Sequence, residues 1–149
     1  MNQNRSALVL MEQVVMILVF AIAAALCVQA FALSNQKSRE SAALDQAVLL
    51  AQNAAELMKH AGEDPAHAME AAREGMGGQI SQGMWYVLYD GGWNAVSEGA
   101  SYRLEVFPGA LGGLEPQEGL VQALVRVSHE DGQEIFSLPI AWQEVSGRG

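Results

Sequence analysis

The side chains able to do chemistry are few, and their spacing does not favour it. Of the three histidines, His60 and His67 stand seven apart across a helix-breaking Gly62 and Pro65, and His129 lies beside a turn signal. None has the i, i+4 partner that a helical metal pair needs. The single cysteine, Cys27, sits in an apolar run, so the part of the chain after that run can have no intramolecular disulfide and no cysteine-based metal site. Gly75-Met76-Gly77-Gly78 lacks the Lys-Ser/Thr that completes a phosphate loop, and no serine sits in a nucleophile-elbow context. The acidic pairs Glu63-Asp64 and Glu130-Asp131 read as solvated turns rather than calcium ligands. The expectation is therefore no catalytic set, no cofactor, no metal and no enzymatic activity. One ionisable group stands apart. Glu12 follows Leu8-Val9-Leu10-Met11 and precedes a long apolar run. If that run starts at Val14, the carboxylate lies at a headgroup boundary at little cost. If it starts at Leu8, the carboxylate is disfavoured by about 2.5 kcal/mol or more at mid-membrane and calls for a partner.

The element that carries Glu12 is dominated by Val14 to Leu33, which is apolar throughout except for Gln29 and carries no charge. Twenty residues at about 1.5 Å each reach roughly 30 Å, the hydrocarbon thickness of a bilayer, and a lone segment in lipid must be helical to satisfy its own backbone. A cleavable secretory signal is the competing reading, with Ala30-Phe31-Ala32 as its exit. Against it, the run exceeds the usual 7–15 residues, the start has only Arg5, and helical patterning continues past the exit. Within the run, Ala21 and Ala25, like Ala23 and Cys27, place small residues four apart, where helices can approach closely, and Gln29 could hydrogen-bond between helices.

The first third of the chain resembles the type IV pilins and the pseudopilins of type II secretion and competence systems. Their subunits begin with a short polar leader, a small residue at the cleavage point and a hydrophobic helix with glutamate at its fifth position. Here the matching string is Ala7 followed by Leu8-Val9-Leu10-Met11-Glu12, with Ala7 where glycine is usual, Leu8 where phenylalanine is usual, and one basic residue in the leader. The resemblance implies cutting between Ala7 and Leu8 by a prepilin peptidase, methylation of the new amine, and pairing of Glu12 with the amine of a neighbouring subunit. It also implies other pilin-like subunits and an inner assembly platform as partners, and a C-terminal part outside the cytoplasm. Charge counting does not supply that orientation, since Arg5 on one side faces Lys37 and Arg39 on the other.

Beyond the span, Ser34 to His60 has no Gly or Pro, and Leu44, Ala47, Val48, Ala51, Ala54, Ala55 and Met58 recur as one buried helical face. Gly62 is a left-handed stop. Asp64-Pro65 caps a short helix over Ala66 to Glu74 that Gly75, Gly77 and Gly78 end. The period then changes to two. Met84 to Tyr89, Tyr102 to Phe107, Leu120 to His129 and Glu134 to Trp142 read as strands, with turns at Asp90-Gly91-Gly92 and Glu130 to Gln133 and a Gly/Pro loop from Pro108 to Gly119. Pro139 predicts an edge strand. The net charge of −9 arises almost entirely after Leu33 and disfavours nucleic acid as a partner.

The expected architecture is α+β, pilin-like: a leader (1–7), a transmembrane helix (8–33), its extracytoplasmic continuation (34–62), a short helix with a glycine-rich loop (63–83), and a four-stranded antiparallel sheet (84–145). The expected function is that of a structural subunit, a minor pilin or pseudopilin, assembling through its N-terminal helix. The rival is a signal-anchored extracytoplasmic binding domain that never polymerises. A secreted enzyme freed by signal peptidase suffers from the missing catalytic set.

Overall fold

The computed structural model describes residues 2–62, 64–109 and 119–143. Residues 110–118 of the expected Gly/Pro loop, Glu63 of the first acidic pair and the expected sheet end at residue 145 lie outside them. Helix α1 runs Asn2–Ala61 without a break at Ser34-Asn35 and ends at Gly62 in the left-handed region (φ 63°). The chain divides into two compact units, Met1–Ala42 and Ala43–Gly149. Among the described residues the first unit is helix alone. Every large apolar side chain in it from Leu8 to Leu33 is exposed.

The second unit holds the end of α1, helix α2 (Pro65–Met76) and six strands: β1 Gln79–Ser81, β2 Met84–Tyr89, β3 Ala95–Val96, β4 Tyr102–Pro108, β5 Leu120–His129 and β6 Glu134–Gln143. The strand order is β1-β2-β4-β5-β6, all antiparallel, and β3 shares with β1 the edge of β2 that β4 leaves open. Four strands follow the expected meander. The other two correct the expectation of four. β1 falls in the stretch read as a glycine-rich loop, where Gln82 and Gly83, at φ 54° and 77°, form the two-residue turn into β2. Positive φ at both central positions is the hairpin geometry that Asn-Gly usually announces, and Gln-Gly does not announce it. With two residues, β3 is too short to show a period.

One face of the sheet is dry. Trp85, Val87, Leu104, Val106, Val125 and Val127 are fully or almost fully buried, and the register sets Trp85 beside Val106 and Val125, and Val87 beside Leu104 and Val127. Ala47, Ala51, Ala54, Ala55 and Met58 of α1, and Ala68, Met69 and Ala72 of α2, close the same core. Alanine at the contact positions lets a helix backbone come near enough to exclude water from these larger side chains. Each of them gains about 1.5–3 kcal/mol on full burial, far more than helix propensity contributes per residue. Leu44, expected on this face, is 42% exposed, and Val48 is only half-buried, because the core begins one turn further along, at Ala47.

Two glycines are fixed by close approach. Gly75 does not end α2 as expected. It lies inside the helix, where a Cβ would stand 2.8 Å from Leu57 Cδ1, and α2 continues to Met76 with Gly77 as its cap. At Gly78 (φ 87°) a Cβ would stand 2.3 Å from the backbone oxygen of Tyr86. The expected start of α2 holds: the carboxylate of Asp64 accepts from the N–H of His67 at 2.8 Å, with Pro65 at the first position. β6 pairs only with β5 among the described residues, so Pro139 does sit on an edge strand. The β5–β6 hairpin is not a simple two-residue turn. Gly132 at φ 88° and the skipped residue Ile135 of β6 mark an irregular register beside Val127/Ser128.

The alanine contact makes a direct prediction. Ala51→Leu should destabilise the protein by about 1–3 kcal/mol, since Ala51 is fully buried and the added atoms have no space. Leu44→Ala, at an exposed position, should change stability by less than about 0.5 kcal/mol. Chemical denaturation of the detergent-solubilised chain, followed by tryptophan fluorescence, compares the two.

Candidate functional site

The residues singled out in the sequence all lie on α1 in the first unit. Ala7 and Leu8 are consecutive helical residues, and Glu12 lies one turn after Leu8 on the same side, since residues four apart share a helix face. All three are exposed, as are Ala21 and Ala25. The apolar residues around Glu12 leave no polar stripe: Val14 to Phe20 is seven apolar residues in succession, nearly two full turns. A helix apolar all round belongs in a protein core or in lipid. None of this stretch is buried against its own chain.

The second unit offers little that resembles a reaction centre. Among the described residues no three His, Cys, Asp or Glu side chains come together as a metal site. His60 is exposed near the end of α1 and lines an open groove of about 310 Å³ with Asn53, Glu56, Leu57 and Met76. A second open groove, about 410 Å³, lies where β1 stops and β3 begins along β2, around Val87, Gln79 and Val96. Its walls mix apolar side chains with Gln79, Ser97 and Tyr86, whose hydroxyl donates to Gln79 Oε1 at 3.0 Å, and no acid or base pair converges there. On the sheet face opposite the core, Arg126 lies 4.9 Å from the ring centre of Phe107 and 3.3 Å from the Glu134 carboxylate, which also accepts from Ser137 Oγ at 2.8 Å. These ion-pair groups are substantially exposed, and such pairs contribute about 0–1 kcal/mol.

One cluster escaped the sequence reading. Trp93 stacks on Tyr102 with ring centres 3.9 Å apart and planes 5° from parallel, Tyr102 meets His129 at 5.2 Å, and Trp93 meets Tyr89 at 6.2 Å. The β4–β5 register brings Tyr102 opposite His129. The loop before β3 brings Trp93 onto the stack. There Asp90 Oδ1 accepts from the backbone N–H of Gly92 (2.8 Å) and Asn94 (2.9 Å), and these bonds, the Asn94 N–H foremost, hold its carboxyl below the usual range. Burial pushes the neighbouring Tyr89 hydroxyl up. The only advance signal was the Asp-Gly-Gly turn itself.

Trp93 adopts φ 65°, a left-handed conformation that a bulky side chain pays for with roughly 1–3 kcal/mol of strain. Stacking on Tyr102 offsets part of this, at about 0.5–1.5 kcal/mol beyond its area. Trp93→Ala loses the stack and keeps the strain, whereas Trp93→Gly loses the stack and relieves it. The glycine variant should therefore melt higher than the alanine variant, the reverse of their order at an ordinary position. Thermal melts of the two variants beside wild type check this.

No protein-family model, curated protein or solved structure matches the chain.

Proposed function

We propose that the chain is a structural subunit of a pilin-like filament, a minor pilin or pseudopilin of the kind used in type IV pili, type II secretion and competence. In this reading it is not an enzyme. Residues 8–33 anchor it in the cytoplasmic membrane by a single pass, with the second unit outside the cytoplasm. Its partners are other pilin-like subunits and an inner assembly platform, and a prepilin peptidase cuts between Ala7 and Leu8.

The observation that carries the reading is Glu12, an exposed carboxylate on a helix whose apolar surface continues on all sides after it and has no cover from the chain itself. An ionisable group in such a place is costly unless paired. A cut before Leu8 supplies a partner of the right sign. It creates an α-amine one helical turn from Glu12, and a neighbouring subunit presents the same pair. Filament formation then covers the apolar surface and neutralises both charges together. Removing one member of a buried pair leaves the other unpaired, a loss of about 3–5 kcal/mol.

Two measurements test this. Intact mass of the membrane-extracted protein should give a chain beginning at Leu8. A chain beginning at Leu33 would instead mark a secretory signal and end the pilin reading. In cells that make the whole assembly, Glu12→Ala and Glu12→Gln should both abolish crosslinking to partner pilins while membrane insertion is kept. Unchanged crosslinking in both variants would favour a signal-anchored binding domain that does not polymerise.

A further inference from the structure

We propose that Gln29 is the contact through which two copies of this chain pair side by side in the bilayer, each carboxamide donating to the other. The inference rests on the membrane reading above and names a partner for that same helix.

Gln29 is the one side chain between Val14 and Leu33 that carries strong donors and a strong acceptor together. It lies four residues, about 6 Å, short of Leu33, and so within the hydrocarbon when that run spans the membrane. It is exposed, and no hydrogen bond to its carboxamide is found among the described residues. A primary carboxamide in hydrocarbon is strongly unfavourable until it is hydrogen-bonded. Lipid tails offer no such bond. Another helix does, and the chemistry selects which one. Copies of a single-pass chain inserted with one topology carry the same residue at the same depth, and a carboxamide is its own complement, with Nε2–H donating to Oε1 in both directions. A second copy of this chain is therefore the occupant that satisfies the group in full.

The rest of that helix face suits the approach. Ala25 and Ala32, at i−4 and i+3, flank Gln29 with small side chains, and Leu18 and Ile22 continue the same stripe at the spacing of a paired-helix seam. Cys27 stands two residues from Gln29, about 200° round the helix, on the far side. The native thiol thus reports on the wrong face, which makes it an internal control.

The test uses the full chain reconstituted in phosphatidylcholine/phosphatidylglycerol vesicles. Resistance to alkaline extraction comes first, since release there fails the membrane reading itself rather than this inference. Oxidative crosslinking is then compared for the native Cys27 chain and for Cys27→Ala carrying either Ala25→Cys or Ala32→Cys. Dimer should form at positions 25 and 32 and scarcely at 27. Adding Gln29→Leu should weaken association about three- to tenfold, while Gln29→Asn, which keeps the carboxamide, should retain most of it. Leucine makes the run more apolar, so a loss cannot come from failed insertion. Equal crosslinking at position 27, or a dimer fraction unchanged by Gln29→Leu, would overturn the proposal and leave the carboxamide reaching toward the headgroups instead.

Discussion

The dry face of the sheet sets the terms for the second unit. Trp85, Val87, Leu104, Val106, Val125 and Val127 leave water only if something flat and close covers them, and the alanines of α1 and α2 provide that surface. Larger helix residues would hold the backbones apart and open voids that lose contacts on both sides. The consequences run outward from there. Gly75 must be small because Leu57 lies against α2, and Gly78 must be glycine because the chain passes against the backbone of Tyr86 as it turns into β1. Trp85 can be fully buried because its indole N–H donates to the carbonyl of Gly77 at 2.9 Å, so no donor is left unpaired in the core.

The same helix obeys a different rule at its other end. In the second unit α1 is amphipathic, with Ala47, Ala51 and Ala54 inside and Gln46, Gln52, Asn53 and Glu56 outside. Between Leu8 and Leu33 of the first unit the apolar residues go all round, and the polar exceptions there are Glu12, Gln13 and Gln29. One face of a helix can be covered by a small sheet, but a full circumference needs a protein core or lipid around it. Assigning the first unit to lipid and to neighbouring helices answers that imbalance, and it gives Glu12 and Gln29 a common logic. In the proposed reading each is a polar group whose partner comes from another chain, one through charge and the other through hydrogen bonding.

Elements long enough to show a period were legible in the sequence. α1 and its stop at Gly62, the Asp64-Pro65 start of α2, and the alternation in β2, β4, β5 and β6 all follow from residue type and spacing. What stayed hidden depended on contact rather than pattern. β1 and β3 exist because β2 offers an open edge, and the Gln82-Gly83 turn lacks the usual asparagine. Gly75 looked like a stop because nothing in the sequence places Leu57 beside it. Leu44 fits the helical period perfectly well, yet the core ends one turn short of it. At the candidate site, Ala7, Leu8 and Glu12 were readable because they lie in one continuous stretch. Trp93, Tyr102 and His129 were not, since only strand register and a left-handed residue bring them together.

If lipid covers the apolar circumference of α1, its backbone amides are shielded there. Amide hydrogen exchange on the chain in lipid nanodiscs, read peptide by peptide, measures that shielding. Two slowly exchanging stretches are expected, Val14 to Leu33 shielded by the bilayer and Ala47 to Met58 shielded by the sheet, with faster exchange over Ser34 to Ala42 between them. Exchange over Val14 to Leu33 as fast as over Ser34 to Ala42 would contradict lipid cover.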